Sequence, residues 1–356
     1  MGRPFVRNVL AASLLLLAAA GALNFAVDPF QQYRIPTAHA ARFYPVFQRF
    51  QASGIARHYA FDRAIVGSSM TENLAASEVD GALGGKSFNL SLSAVTAYDA
   101  RRVLEAALGR GGLKQVLYNI DFNAFSGSVN RTGFPEAFPE YLYDAHRWND
   151  YPYLLSASTL KKSLETLGGW KVNRFSTDAD RPWYWAASAQ FSARRVVDGL
   201  DPSDLNRRFR QPPRTLEGMR ASFDANVLPL VERHPGVDWI FVYPPYSILV
   251  WADFRQRGQL DVTLDFKRYV FSRLGSRPNV RLFDFQAERT LVADLDRYSD
   301  IYHYDPRASR WTIEMIAAGR YRVDAANVET GIADLRWLAE RAEAEGIIRS
   351  AKGRAP

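Results

Sequence analysis

Four residues in this chain have the types needed for acyl chemistry: Ser69, Asn123, Asp300 and His303. Ser69 ends the stretch Arg63-Ala64-Ile65-Val66-Gly67-Ser68-Ser69, an apolar run followed by a polar segment. Asp300-Ile301-Tyr302-His303 sets an acid three residues ahead of an imidazole. A serine hydroxyl is a weak nucleophile at neutral pH and needs an adjacent imidazole to take its proton. The imidazole in turn needs a carboxylate to fix its tautomer and stabilise its charged form. A tetrahedral intermediate needs donors aimed at its oxygen, which backbone N–H groups and an asparagine amide supply.

Each residue also has a plainer reading. A serine after a strand often caps the next helix, and an asparagine often only makes a turn. His39, His58, His146 and His234 lack a partner pattern and read as surface or structural histidines. Asp305-Pro306 reads as a helix start rather than as an orienting acid. No carboxylate–histidine cluster has metal-ligand spacing, so neither a metal nor another cofactor is expected. What separates the chemical reading from the plain one is where the residues fall on the elements that carry them.

Those elements alternate. Strands are expected over 63–67, 86–91, 115–121, 237–245 and 280–285. Helices are expected over 42–53, 74–83, 97–108, 215–234, 264–274, 308–318 and 331–345. Near-continuous apolar strands separated by helices imply a parallel sheet covered on both faces, an α/β/α sandwich of three layers. The rhythm breaks after Asn123, where an aromatic-rich, largely helical insertion at about 124–235 reads as a lid. Its tryptophans (Trp148, Trp170, Trp183 and Trp185) suit packing beneath a lid more than stacking on sugars. The expected organisation is an N-terminal membrane segment over 1–30, a connector over 31–60, the α/β domain over 61–325, and a helix with a basic tail over 326–356. Ligands of such sheets sit outside the carboxyl ends of the strands. Ser69, the stretch Ser93-Ala94, Asn123 and the pair Asp300/His303 all fall just beyond strand ends.

These blocks resemble the SGNH (GDSL-type) hydrolase superfamily, and within it the membrane-anchored branch with Gly-Ser-Ser in the first block. The resemblance covers most of residues 60–320 outside the insertion. It implies a flavodoxin-like five-stranded sheet, with Ser69 as nucleophile, His303 as base and Asp300 as orienting acid. It also implies an oxyanion hole from the backbone of Ser69, a donor in the second block Phe88-Asn89-Leu90-Ser91-Leu92-Ser93-Ala94, and Asn123. In that second block Ala94 stands where the family carries glycine, with Ser93 as the other registration. In the third block Asp121 replaces a glycine and Ala124 an aspartate.

The N-terminus sets the compartment. Val9 to Val27 carries no charge and follows Arg3 and Arg7, which orients the rest of the chain away from the cytoplasm. An uncleaved anchor and a cleavable signal peptide ending at Ala20-Gly21-Ala22 both fit. The apolar run continuing through Leu23, Phe25, Ala26 and Val27 favours the anchor. The chain has no cysteine, which excludes disulfides and thiolate metal sites, and a net charge of +7 spread over the surface without a nucleic-acid motif.

The expected activity is a serine esterase or O-acyltransferase acting on acyl, chiefly acetyl, esters of a cell-envelope or secreted glycan. Its partners would be the glycan, the inner membrane and a membrane-bound acyl-donor protein, with the domain on the periplasmic side. The competing expectation is a non-catalytic envelope binding or assembly module that keeps the fold.

Overall fold

The computed structural model describes residues 2–133, 138–169, 174–199 and 214–340. Trp170 and the basic tail lie outside them. Helix α1 (Arg3–Val27) leads into a connector and α2 (Gln48–His58). The α/β part then runs β1 (Arg63–Val66), α3 (Ala76–Leu83), β2 (Ser87–Asn89), α4 (Ala97–Gly109) and β3 (Gln115–Asn119). The intervening stretch holds α5 (Tyr151–Leu154), α6 (Ala157–Leu167) and α7 (Ala193–Asp198). The alternation resumes with α8 (Leu216–Asn226), α9 (Leu228–Arg233), β4 (Asp238–Tyr243), α10 (Ile248–Gln256), α11 (Leu260–Leu274) and β5 (Val280–Asp284). It closes with α12 (Arg289–Val292), α13 (Pro306–Ala317) and α14 (Val328–Glu340).

All five strands are parallel, in the order β2-β1-β3-β4-β5. This is the flavodoxin-like order, with its switch point between β1 and β3. Side chains alternate across each strand, so the two faces build two separate cores. Ala64 and Val66 of β1, and Trp239, Phe241 and Tyr243 of β4, enter the larger core with α2, α4, α8 and α11. Ile65, Ile240 and Val242 face the other way, against Val79 of α3 and Ile313 and Ile316 of α13. The three-layer sandwich therefore follows from strands that are apolar on both sides.

Several boundaries differ from expectation for local reasons. The first connector helix begins at Gln48 rather than near residue 42, because Phe43 pairs with Ser176 in an antiparallel bridge and Pro45 opens only a single tight turn. The single helix expected over 215–234 is two: Pro229 has no N–H to continue the ladder, and the chain breaks at Val227. Helix α10 has no counterpart in the expected pattern, since Ile248, Leu249, Val250, Trp251 and Phe254 are all buried and leave no apolar stripe.

Helix α2 is held by a close backbone approach. A Cβ at Gly54 would stand 2.1 Å from the Gln31 carbonyl oxygen and 2.8 Å from Gln32 Cα. Gly54→Ala is expected to lower unfolding stability by about 1–3 kcal/mol, since backbone must move. Gly81→Ala on α3, where nothing lies within 4 Å, is expected to raise it by about 0.5–1 kcal/mol. Denaturant unfolding of both variants checks the pair.

Candidate active site

The turn after β1 carries Ser69 outward. Gly67 is required there because a Cβ would meet Thr71 Oγ1 at 2.5 Å and Asn119 Cβ at 2.6 Å. Thr71 closes the turn, its N–H and Oγ1 both donating to the Ser68 carbonyl at 3.0 Å. Helix α3 starts only at Ala76, so Ser69 does not cap it. The Ser69 hydroxyl instead meets His303 Nε2 at 2.7 Å.

His303 sits in a loop past β5 closed by a bridge between Tyr298 and Tyr304 and by Ser299 N–H donating to the His303 carbonyl at 2.9 Å. Its Nδ1 lies 2.7 Å from Asp300 Oδ2, while Asp300 Oδ1 accepts the N–H groups of Tyr302 and His303 at 2.8 and 2.9 Å. The aspartate thus folds its own loop and holds the ring through one carboxylate, an Asx-type turn that the three-residue spacing makes possible. Asp305 caps α13 through Ala308 N–H at 2.7 Å, as its position before Pro306 implied.

The electrostatics follow from these contacts. Burial alone pushes the Asp300 carboxyl up, but the adjacent His303 and the two backbone donors outweigh it and bring it down to about 2. Burial favours neutral His303, but Asp300, joined by Glu72 and Asp121, reverses this and raises the imidazole above its ordinary value of 6.5. An ionised aspartate is therefore paired with an imidazole whose charged form is stabilised.

Ser69, Ala94, Asn123 and His303 line one cavity of about 90 Å³, together with Asp121, Arg131 and Tyr302. Among the described residues, no acceptor takes the backbone N–H of Ser69 or of Ala94. Ala94 has φ +48°, the left-handed conformation that glycine adopts freely and alanine only at a cost. Its loop is pinned from behind: Arg49, paired with buried Asp99 at 2.7 Å, donates to the Ser93 carbonyl at 3.1 Å. The Asn123 side chain donates toward the Tyr302 hydroxyl. Asp121 caps the turn that carries Asn123, accepting Asn123 N–H and the Tyr246 hydroxyl, each at 2.9 Å. Of the two registrations in the second block, Ala94 lines the cavity. The Ser93 hydroxyl is turned to Glu72 Oε1 at 2.7 Å.

Several contributors carried no sequence signal. Buried Glu72, held above its usual range by burial, also accepts from Gln48 Nε2 at 2.8 Å, and Gln48 in turn accepts Ser93 N–H at 2.7 Å. Glu72 lies three residues past Ser69 in the polar segment and belongs to no pattern that singles it out. Trp185, from the insertion, donates its indole N–H to the Ser69 carbonyl at 2.9 Å and meets the His303 ring edge-on at 5.2 Å. Arg131 is tied to the Ser126 carbonyl at 2.7 Å and places a guanidinium on the cavity wall. Among the described residues no group of three His, Cys, Asp or Glu is arranged to hold a metal. No family model, curated protein or solved structure matches this chain.

Ala94→Gly is expected to preserve the cavity and raise stability by up to about 1 kcal/mol, because the left-handed conformer then carries no Cβ penalty. Thermal unfolding checks this, and a loss of stability contradicts a strained Ala94.

Proposed function

We propose that this protein is a serine esterase or O-acyltransferase of the SGNH type working through an acyl-enzyme at Ser69. The observation that carries the reading is the continuous relay from Ser69 Oγ to His303 Nε2 and from His303 Nδ1 to Asp300, both at 2.7 Å. A helix cap or a binding surface has no use for an imidazole so held.

In this reading Ser69 Oγ attacks the ester carbonyl while its proton passes to His303 Nε2. The carbonyl π electrons move to oxygen, and the resulting oxyanion lies against the N–H groups of Ser69 and Ala94 and the Asn123 amide. The guanidinium of Arg131 adds positive charge on the same wall. His303 then returns the proton to the leaving alkoxide as the C–O bond breaks, leaving Ser69 acylated. A second pass, with His303 taking a proton from the acceptor hydroxyl, releases the acyl group to water or to a sugar. Asp300 stays ionised throughout and stabilises the imidazolium.

The cell address comes from α1. It is the one helix among the described residues long and apolar enough to cross a membrane. Arg3 and Arg7 in the first two turns of α1 support, by the positive-inside rule, an extracytoplasmic face for the α/β domain. An acetylated envelope glycan is the substrate this address favours, and a membrane-bound donor protein would supply the acyl group for transfer.

His303 must be neutral to act as base, and its raised pKa keeps it protonated to higher pH than a free imidazole. Hydrolysis of a short-chain aryl acetate by the full chain in detergent should therefore rise with pH, kcat/KM having its midpoint above 6.5. Ser69→Ala should lower kcat/KM by at least about 10³-fold. Equal rates for wild type and Ser69→Ala would remove the enzymatic reading.

A further inference from the structure

Helix α6 is built inside out. Its buried positions are Thr159, Lys162, Ser163, Glu165 and Thr166, whereas Leu164 and Leu167 are exposed, Leu167 by 62%. Most of the polar interior is paired: Lys162 Nζ meets Glu165 Oε2 at 2.7 Å, and Thr166 donates to the Lys162 carbonyl at 2.8 Å, while Glu165 Oε1 has no partner among the described residues. A helix that faces water shows the opposite pattern. Just before it, Trp148, Tyr151 and Leu155 are also exposed, Trp148 by 79%.

This patch is fixed against the end of α1. Asn24 is fully buried, its Nδ2 donating to the Leu154 carbonyl at 2.7 Å and its Oδ1 accepting from Ser163 Oγ at 2.8 Å. Leu155 Cδ2 would be 3.4 Å from a Cβ on Gly21. Asp28, buried in the left-handed conformation that ends the helix, accepts the N–H groups of Gln32 and Tyr33 and the Tyr153 hydroxyl. The exit from α1 is therefore a rigid joint rather than a tether.

Length then sets the depth. At 1.5 Å per residue the 25 residues of α1 measure about 37 Å, while a bilayer core of about 30 Å needs about 20. Arg3 and Arg7 hold the first turns of α1 at one headgroup layer, so the uncharged stretch Val9–Val27, about 28 Å long, fills the core, and its last turns, which dock on α5 and α6, lie at the opposite edge of it. Those two helices consequently sit at the level of the lipid headgroups, where Trp and Tyr are favoured.

Resting on the reading of α1 as a membrane span, we infer that the α5–α6 face is a second membrane contact. It lies in the interface of the bilayer that α1 crosses, with Leu155, Leu164 and Leu167 in the upper acyl region and Trp148 and Tyr151 among the headgroups. Exposed Lys161 on α6, and Arg34 stacked on Phe25 at 4.6 Å, supply cations for anionic lipid. The domain is thereby held in one orientation on the surface.

The chain has no cysteine, so a single introduced thiol takes a fluorophore uniquely. Leu155→Cys, Leu164→Cys and Leu167→Cys, each in the full chain with a bimane label, are reconstituted in phosphatidylcholine/phosphatidylglycerol vesicles with and without bromine on the acyl chains. Leu15→Cys in α1 and Glu314→Cys on α13 are the references. Quenching at 155, 164 and 167 approaching that at 15, and several-fold above that at 314, is the expected result. Quenching at 15 alone overturns the second contact while leaving the span intact. No quenching at 15 overturns the span and the inference with it. A blue-shifted label at 164 or 167 without quenching means a protein covers the face and also overturns it.

Discussion

One hydrogen bond, from Ser69 to His303, joins positions 234 residues apart, and the fold is arranged so that it can form. Ser69 follows β1, but His303 follows β5, which is three strands away in the sheet. At about 4.8 Å per strand that is roughly 14 Å. The loop from Tyr298 to Tyr304 must therefore travel back over the ends of β4 and β3. It is anchored on the way: Tyr298 donates its hydroxyl to the Pro245 carbonyl at 3.0 Å, and Ser247 donates to the Ile301 carbonyl at 2.6 Å. Pro245 and Ser247 lie just past β4, so the sheet's order and the loop's tethers together fix the imidazole.

The sheet was legible because each of its strands is a short apolar run between helices, and the burial of both faces leaves little room for polar residues. The candidate site was legible where chemistry is concentrated in few residues. Ser69, Asp300 and His303 needed only strand ends and a three-residue spacing to be singled out. The supporting shell was not, because its parts are supplied from a distance. Helix α3 has no side-chain cap of its own; Asp180 of the insertion accepts Ser77 N–H at 2.6 Å, and its carbonyl accepts Ala76 N–H at 3.0 Å. Trp183 donates to the Asn89 carbonyl at 2.9 Å beside the edge strand, and Trp185 reaches Ser69 itself. A local pattern cannot report which helix a remote loop will cap.

The insertion thus has two physical roles that its aromatic composition alone did not separate. One end packs against the Ser69 turn through Trp185, and the other receives the end of α1 through Asn24 and Asp28. Among the described residues Asp28, Gln31, Ala94 and Tyr321 hold a left-handed backbone without being glycine, and at Ala94 a buried Arg49–Asp99 pair and the Gln48–Glu72–Ser93 contacts hold the loop. The Ala94 N–H has no acceptor among the described residues, so a buried polar network holds a strained residue with its donor aimed into the cavity.

In the proposed reaction Ser69, and no neighbouring serine, is the nucleophile activated by His303. The most direct measurement is reaction of the folded chain with a fluorophosphonate, followed by peptide mass spectrometry of the adduct. A single phosphonyl group on Ser69, lost on heat denaturation and in His303→Ala, is the predicted result. Modification of Ser68, Ser91 or Ser93 instead, or no adduct under conditions that label a control serine hydrolase, would contradict it.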